Sequence, residues 1–287
     1  MLSSLATVLF DGFAYGMLLF LLSVGLSVTL GMMNFVNLAH CSFAMVGGYA
    51  TVTLVNGFGW PFLASLPIAF IAAALVSVVL ERTLYRHLYR STDLDQCLLT
   101  IGIVFVSVAA FAWFYTSEQQ SARPPEWLRG RIELFGVNFA AYRLFLILFG
   151  LAVTGLLIFL LERTRFGAKV RAAVDNQRMA RGLGIDVDRA FMLTFALGGG
   201  LAGLGGALAI EVVGLDPTFA LAFLVYVLIV VAVGGLGSIG GSFAAAVVLG
   251  ISDMAGKYYF PWLGAFLIYL VMVGLLMWRP LGLFGKR

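Results

Sequence analysis

Residues 9–31 read Leu9-Phe-Asp-Gly-Phe-Ala-Tyr-Gly-Met-Leu-Leu-Phe-Leu-Leu-Ser-Val-Gly-Leu-Ser-Val-Thr-Leu-Gly31, with Asp11 the one charged side chain. That length and apolarity match the ~20 residues a helix needs to cross ~30 Å of hydrocarbon. Working outward, further apolar runs occupy roughly 36–56, 61–80, 97–115, 142–161, 191–212, 220–236, 239–256 and 262–278. In lipid every backbone polar group must be paired within a helix or a closed barrel. Barrel strands would alternate over about ten residues, whereas these runs are continuous, so helices are predicted. The 287-residue chain is 62% hydrophobic and only 11% charged, against about a quarter charged in a soluble domain. The expected fold class is therefore all-α, a polytopic integral membrane protein with nine spans placed and about 8–10 as the range.

Cys41 and Cys97 stand far apart among apolar neighbours without a CxxC pair, so both read as buried free thiols and no metal site is expected. The first Lys or Arg is Arg82. The first run thus lacks the basic flank of a cleaved signal peptide and is expected to remain as a span.

Orientation follows from the basic residues, which cytoplasmic loops carry in excess. Thirteen of the eighteen Lys and Arg residues lie in segments 81–96 and 162–189 and in the C-terminal tail, including Arg90, Lys286 and Arg287. Arg123, Arg129, Arg131, Arg143 and Lys257 lie on the other side of the nine-span arrangement. The N-terminus is expected outside and the C-terminus in the cytoplasm. The net charge of +4 is explained by those loops, and no nucleic-acid partner is expected. The chain reads as one membrane domain, 1–287, with a cytoplasmic loop over 162–190 and an external loop over 116–141.

Within the cytoplasmic loop, Val170, Ala173, Val174 and Ala180 form an apolar stripe at helical spacing, while Lys169, Arg171, Asp175, Arg178 and Arg181 project elsewhere. One short amphipathic helix is predicted, with Gly182 and Gly184 at its C-terminal end. Two readings fit it: a helix resting on anionic headgroups, or a docking helix seated on a cytoplasmic partner.

Asn34, Asn37, His40 and Ser42 mark the entry to the second span, the first three at spacings that share a helical face. They either line a solute route or satisfy backbone groups around a bend near Gly31. Gly199, Gly203 and Ala207 form a small-residue face for close helix packing, within the chain by default, and Gly12 with Gly16 repeats the pattern. Glu211 and Asp216 fall near an interface and read as structural. Asp253 is four residues before Lys257, a pairing distance on a helix. The glycine-rich stretch 234–241 is compatible with a re-entrant element. Neither Gly-Lys pair, 256–257 or 285–286, is followed by Ser or Thr, so no P-loop is present, and no GxSxG or HExxH occurs.

These segments resemble the LivH-type permease family, the membrane subunits of ATP-binding-cassette importers for branched-chain amino acids. The resemblance is carried by Asn34-Phe-Val-Asn37-Leu-Ala-His40, by Arg171-Ala-Ala-Val-Asp175-Asn176 through Gly184-Ile185-Asp186, by Gly234-Gly235-Leu236-Gly237-Ser238, and by Arg279-Pro280 with Gly282 and Gly285. It implies an importer permease fold in the inner membrane and a second permease subunit. It also implies two ATP-binding subunits holding ATP and Mg, an external solute-binding protein, and no cofactor on this chain. Arg171, Ala172, Ala173, Asp175, Ala180 and Gly184 would then couple to the ATPase, and Asn34, Asn37, His40 and Ser42 would line the path. Where the family carries Gly and an acidic residue after the His, this chain has Cys41-Ser42, which removes a charge near the path; the same role for urea or short-chain amides, which related permeases carry, is the alternative reading of the solute. A self-sufficient secondary transporter or channel is the reading from another class.

Overall fold

The computed structural model describes residues 2–33, 35–89, 91–134 and 137–285. Asn34, Arg90, Lys286 and Arg287, singled out above, lie outside the described residues. The helices longer than four residues, in order, are α1 (Leu2–Met33), α2 (His40–Val52), α3 (Phe62–Leu80), α4 (Asp93–Tyr115), α5 (Ala141–Ile158), α6 (Arg165–Asp175), α7 (Gln177–Gly182), α8 (Val187–Val213), α9 (Phe219–Gly234), α10 (Ile239–Tyr259) and α11 (Gly264–Trp278). Single π-helical turns, Thr53–Gly57, Glu81–Tyr85 and Phe159–Arg163, prolong α2, α3 and α5. Between α4 and α5 the chain forms a small antiparallel hairpin, β1 (Arg131–Leu134) with β2 (Val137–Ala140), pairing Arg131 with Ala140. The loop reading of 116–141 did not include these strands.

Among the described residues, six helical segments are long and apolar enough to cross a membrane: Ser4–Gly31, Phe62–Leu88, Asp93–Tyr115, Ala141–Arg163, Val187–Val213 and Ile239–Tyr259. Phe219–Gly234 and Phe266–Trp278 are shorter apolar helices. The chain is thus an all-α polytopic membrane protein, and its spans are less uniform than nine equal runs. The greatest departure is the second: residues 35–37 are not helical, and α2 begins only at His40.

α8 and α1 form the buried centre. Lipid offers no hydrophobic drive for helix association, so small residues that let backbones approach carry the packing. α8 uses glycine on three sides. A Cβ at Gly199 or Gly203 would collide with Ser77 or Ala73 of α3. On other faces Gly206 meets the backbone of Ala44, Gly47 of α2 meets Gly203, and Gly198 faces Gly25 of α1. Ala207 is fully buried. The small-residue face is therefore occupied within the chain. Gly12 and Gly16 lie against Ile251 and Ala246 of α10. Polar pairs add direction: Ser77 Oγ donates to the Phe195 carbonyl at 2.7 Å, Tyr142 Oη to that of Leu208 at 2.8 Å, and Ser242 Oγ to Ser27 Oγ at 2.9 Å.

The connections sort to two ends. At one end Arg86 pairs with Asp188, Met33 and Tyr89 pack on the α6–α7 cluster, Gly31 abuts Gly237, and Leu283 N donates to the Val233 carbonyl at 2.7 Å. At the other end Asn56 Nδ2 donates to the Ser121 carbonyl, Gln120 bridges to Leu215, and Arg143 pairs with Asp11. The basic loops therefore share one end of the bundle. The 234–241 stretch is a tight turn at that end: Gly235 (φ 95°) and Gly237 (φ 77°) adopt positive φ, and Ser238 Oγ accepts from Gly241 N at 3.0 Å to cap α10. A re-entrant element is not formed there.

Candidate functional site: a broken span beside a basic docking loop

Phe35 to Ala39 enters the bundle without helical pairing, and side chains of α4 satisfy its backbone. Val36 N donates to Gln96 Oε1 at 2.9 Å, and Leu38 N to Thr100 Oγ1 at 3.2 Å. Asn37 Oδ1 accepts from Ala39 N at 3.1 Å. His40, buried at the start of α2, donates from Nε2 to the Leu22 carbonyl at 3.1 Å. Leu22 lies eleven residues inward from the end of α1, about 16 Å at 1.5 Å per residue. α2 therefore starts at mid-depth, without a side-chain cap, in contrast to the capped helices of the basic end.

The expected helical face joining Asn37 to His40 is not formed. Asn37 belongs to the extended segment, and both side chains are engaged with backbone, the bend-stabilising alternative posed by the sequence. Ser42 is placed differently: its Oγ lies 2.8 Å from Ser107 Oγ of α4. Further along the same seam Thr53 Oγ1 meets Tyr115 Oη at 2.5 Å, and the Tyr49 ring stacks on Phe111 at 4.5 Å. Gln96, Thr100, Ser107 and Tyr115 were not singled out in the sequence. Their spacing of four, seven and eight residues along one helix was the available signal. The rest of α4 is largely exposed.

The loop over 162–190 folds as two helices rather than one. Asn176 (φ −151°, ψ 97°) breaks the path, and its Oδ1 accepts from Met179 N at 2.9 Å, capping α7. Gly184 (φ 80°) closes α7, with Ile185 N returning to the Ala180 carbonyl at 3.0 Å, as a left-handed C-terminal cap requires. The apolar stripe faces inward. Val170, Ala173 and Ala180 are buried against Val187, Ala190 and Phe191 of the same chain, so the apolar stripe itself faces neither headgroups nor a partner. Arg171 donates to the Leu161 carbonyl and so holds α6 to the end of α5. Ala172 is half-buried, while Asp175 and Gly184 are exposed. The outward apolar side chains are Met179, 63% exposed, and Leu183, 78% exposed. Beside them Asp188 receives Arg181 at 3.0 Å and Arg86 at 3.5 Å, at the edge of a cavity of about 390 Å³ lined also by His87, Tyr89 and Gln177.

Of the remaining acids, Glu211 is exposed at the end of α8, and Asp216 Oδ1 accepts from Thr218 N at 2.7 Å in a loop turn. Asp253 is fully buried and receives Lys257 Nζ at 2.5 Å, with Lys257 also 5.3 Å from the Tyr15 ring centroid. Cys41 is buried, whereas Cys97 is only half-buried. Among the described residues there is no His, Cys, Asp and Glu cluster able to hold a metal.

A multi-pass helical bundle with a discontinuous span and its basic loops at one end is the architecture of a polytopic membrane protein. The chain matches, over residues 8–276, the family described as branched-chain amino acid transport system / permease component, and it belongs to that family. It is 28% identical to a probable branched-chain amino acid transport permease protein LivH of Methanocaldococcus jannaschii, over 94% of this chain and 90% of the relative. It is 26% identical to the permease protein BraD of Pseudomonas aeruginosa, over 97% and 95%. With the permease protein LivM of Escherichia coli K12 it shares 25% identity over 93% of this chain and 68% of that protein. No solved structure matches this chain. The chain is a transmembrane permease subunit of the ATP-binding-cassette importer class.

Proposed function

We propose that this subunit, paired with a second permease chain in a bacterial-type inner membrane, forms the path by which branched-chain or other hydrophobic amino acids enter the cell by alternating access. The observation that carries this reading is the discontinuous second span. An extended segment held out of helix by α4, followed by an uncapped helix N-terminus at mid-depth, is a means by which transporters meet a solute. The path runs along the α2–α4 seam, past Ser42, Ser107 and Tyr115, with Asn37 and His40 setting its bend. The exposed side of α4 supplies the contact with the second permease.

Two ATP-binding subunits dock on the basic end and hold the ATP and Mg, and an external protein delivers the solute. The loop over 162–190 is the coupling element, and Met179 and Leu183 are its contact residues. Arg171, Ala172, Ala173, Asp175, Ala180 and Gly184 shape and anchor it. The basic loops put this end in the cytoplasm, so the N-terminus lies outside. Purification from the native membrane in mild detergent tests the assignment. Recovery of a second permease and two ATP-binding subunits is expected; a chain recovered alone and active in transport by itself would replace this reading with a secondary carrier or channel.

A further inference from the structure

A cleft runs along α8 between α3 and α5. Two cavities of about 390 and 290 Å³ lie end to end in it and share Phe70. Its floor follows one face of α8, Leu204, Gly200, Leu197 and Leu193, in steps of three and four residues. The Phe70 ring, which borders both cavities, rests on Gly200, where a Cβ would come within 2.6 Å of it. The cleft ends at Phe166 on the basic side of the bundle. There Arg163 and Arg165 are exposed, and among the described residues neither makes an ion pair. The neighbouring Arg82 and Arg189, by contrast, are paired with Glu81 and Asp186.

The occupant is constrained by size and charge. A spanning helix 10–12 Å across fills on the order of 2,000 Å³, too large to be seated in these cavities, and a polar solute finds no partner on their walls. We propose that an anionic diacyl phospholipid binds here, one acyl chain in the α3–α5–α8 cleft and its phosphate at Arg163 and Arg165. A chain moving from bulk lipid into an apolar cleft gains little, since both surroundings are apolar. Selection therefore falls to the headgroup. Each Arg near the membrane surface contributes about 1 kcal/mol toward an anionic lipid, so two give roughly a 30-fold preference over a zwitterionic lipid of the same chains. The site does not depend on which solute the permease passes.

The test is lipid retention by the intact complex, purified in detergent and supplied with phosphatidylglycerol and phosphatidylcholine of matched chains. Roughly 30-fold enrichment of phosphatidylglycerol is expected in the wild type, falling to near parity in the double variant R163Q/R165Q. In A74F, which fills the cleft beside Phe70, retention of both lipids should fall. Equal retention of the two lipids by the wild type would overturn the proposal, as would a preference that survives R163Q/R165Q. Unchanged retention in A74F, or a photocrosslinker at Leu193 capturing a protein segment instead of lipid, would also overturn it.

Discussion

Tyr89 donates its phenol proton to Glu81 Oε1 at 2.8 Å, and its ring lies edge-on between Phe35 at 5.7 Å and Phe191 at 6.0 Å. Phe35 begins the extended segment ahead of α2, and Phe191 belongs to the cluster under α6 and α7. Tyr89 therefore touches both the segment that bends the path and the loop assigned to docking. Replacing it by Ala should remove that contact and lower transport at least about tenfold, with ATP hydrolysis by the assembled complex reduced much less, a ratio change that lost ring packing of 0.5–1.5 kcal/mol per pair can produce. Tyr89→Phe keeps the ring and should keep most of the transport. The measurement is solute moved per ATP hydrolysed, and an unchanged ratio in Tyr89→Ala would remove Tyr89 from the coupling route.

Two variants of the basic loop should fail in different ways. Leu183 is exposed, so Leu183→Asp should leave the chain folded and inserted while ATP-binding subunits no longer co-purify with it. Ala173 is buried, so Ala173→Glu places an unpaired charge inside the chain, at a cost of several kcal/mol. Low yield and a lowered melting temperature of the permease itself are expected. If Ala173→Glu were as stable as wild type, the inward orientation of the stripe would be wrong.

Glycines offer a matched pair of opposite sign. Gly203 is enclosed by α2 and by α3, where a Cβ would approach the Ala69 carbonyl oxygen to 2.9 Å. Gly203→Leu should destabilise by about 3 kcal/mol or more, at the upper end of overpacking costs. Nothing lies within 4 Å of a Cβ at Gly155 in α5, and Gly155→Ala should raise stability by about 0.5–1 kcal/mol through backbone entropy. Thermal unfolding in one detergent reads both.

Much of this architecture is legible in the sequence, and the parts that are not share a cause. The spans follow from apolar runs, and the close packing of α8 from Gly199, Gly203 and Ala207, because both are properties of a single segment. The break before α2 is not, because the Asn34–Asn37–His40 spacing reads as helical. What holds those backbone groups out of a helix is Gln96 and Thr100, 60 and 62 residues from their partners. The same applies to the stripe on α6 and α7: periodicity shows that Val170, Ala173 and Ala180 share a face but not which surface covers it. Asn176, by contrast, carried a readable signal, since Asn is a strong helix-starting residue.

The pair on α10, a buried Asp253 and a half-exposed Lys257, gives a further prediction. Lys257→Met leaves Asp253 buried without its cation and should cost about 2 kcal/mol, while the double change Asp253→Asn with Lys257→Met should recover most of that loss, because removing both charges also removes their desolvation. A double variant less stable than Lys257→Met alone would assign Asp253 a partner other than Lys257. The same pair bears on the secondary-carrier alternative: a proton-coupled carrier would lose transport in Asp253→Asn, whereas an ATP-driven permease should retain it.

The most direct measurement is uptake of labelled leucine into proteoliposomes holding the complex together with its external binding protein, with and without ATP. Uptake is expected to require ATP, the ATP-binding subunits and the binding protein, to be competed by isoleucine and valine, and to be unaffected by urea. Uptake by this chain without those partners, or ATP-driven uptake competed by urea and not by branched-chain amino acids, would contradict it.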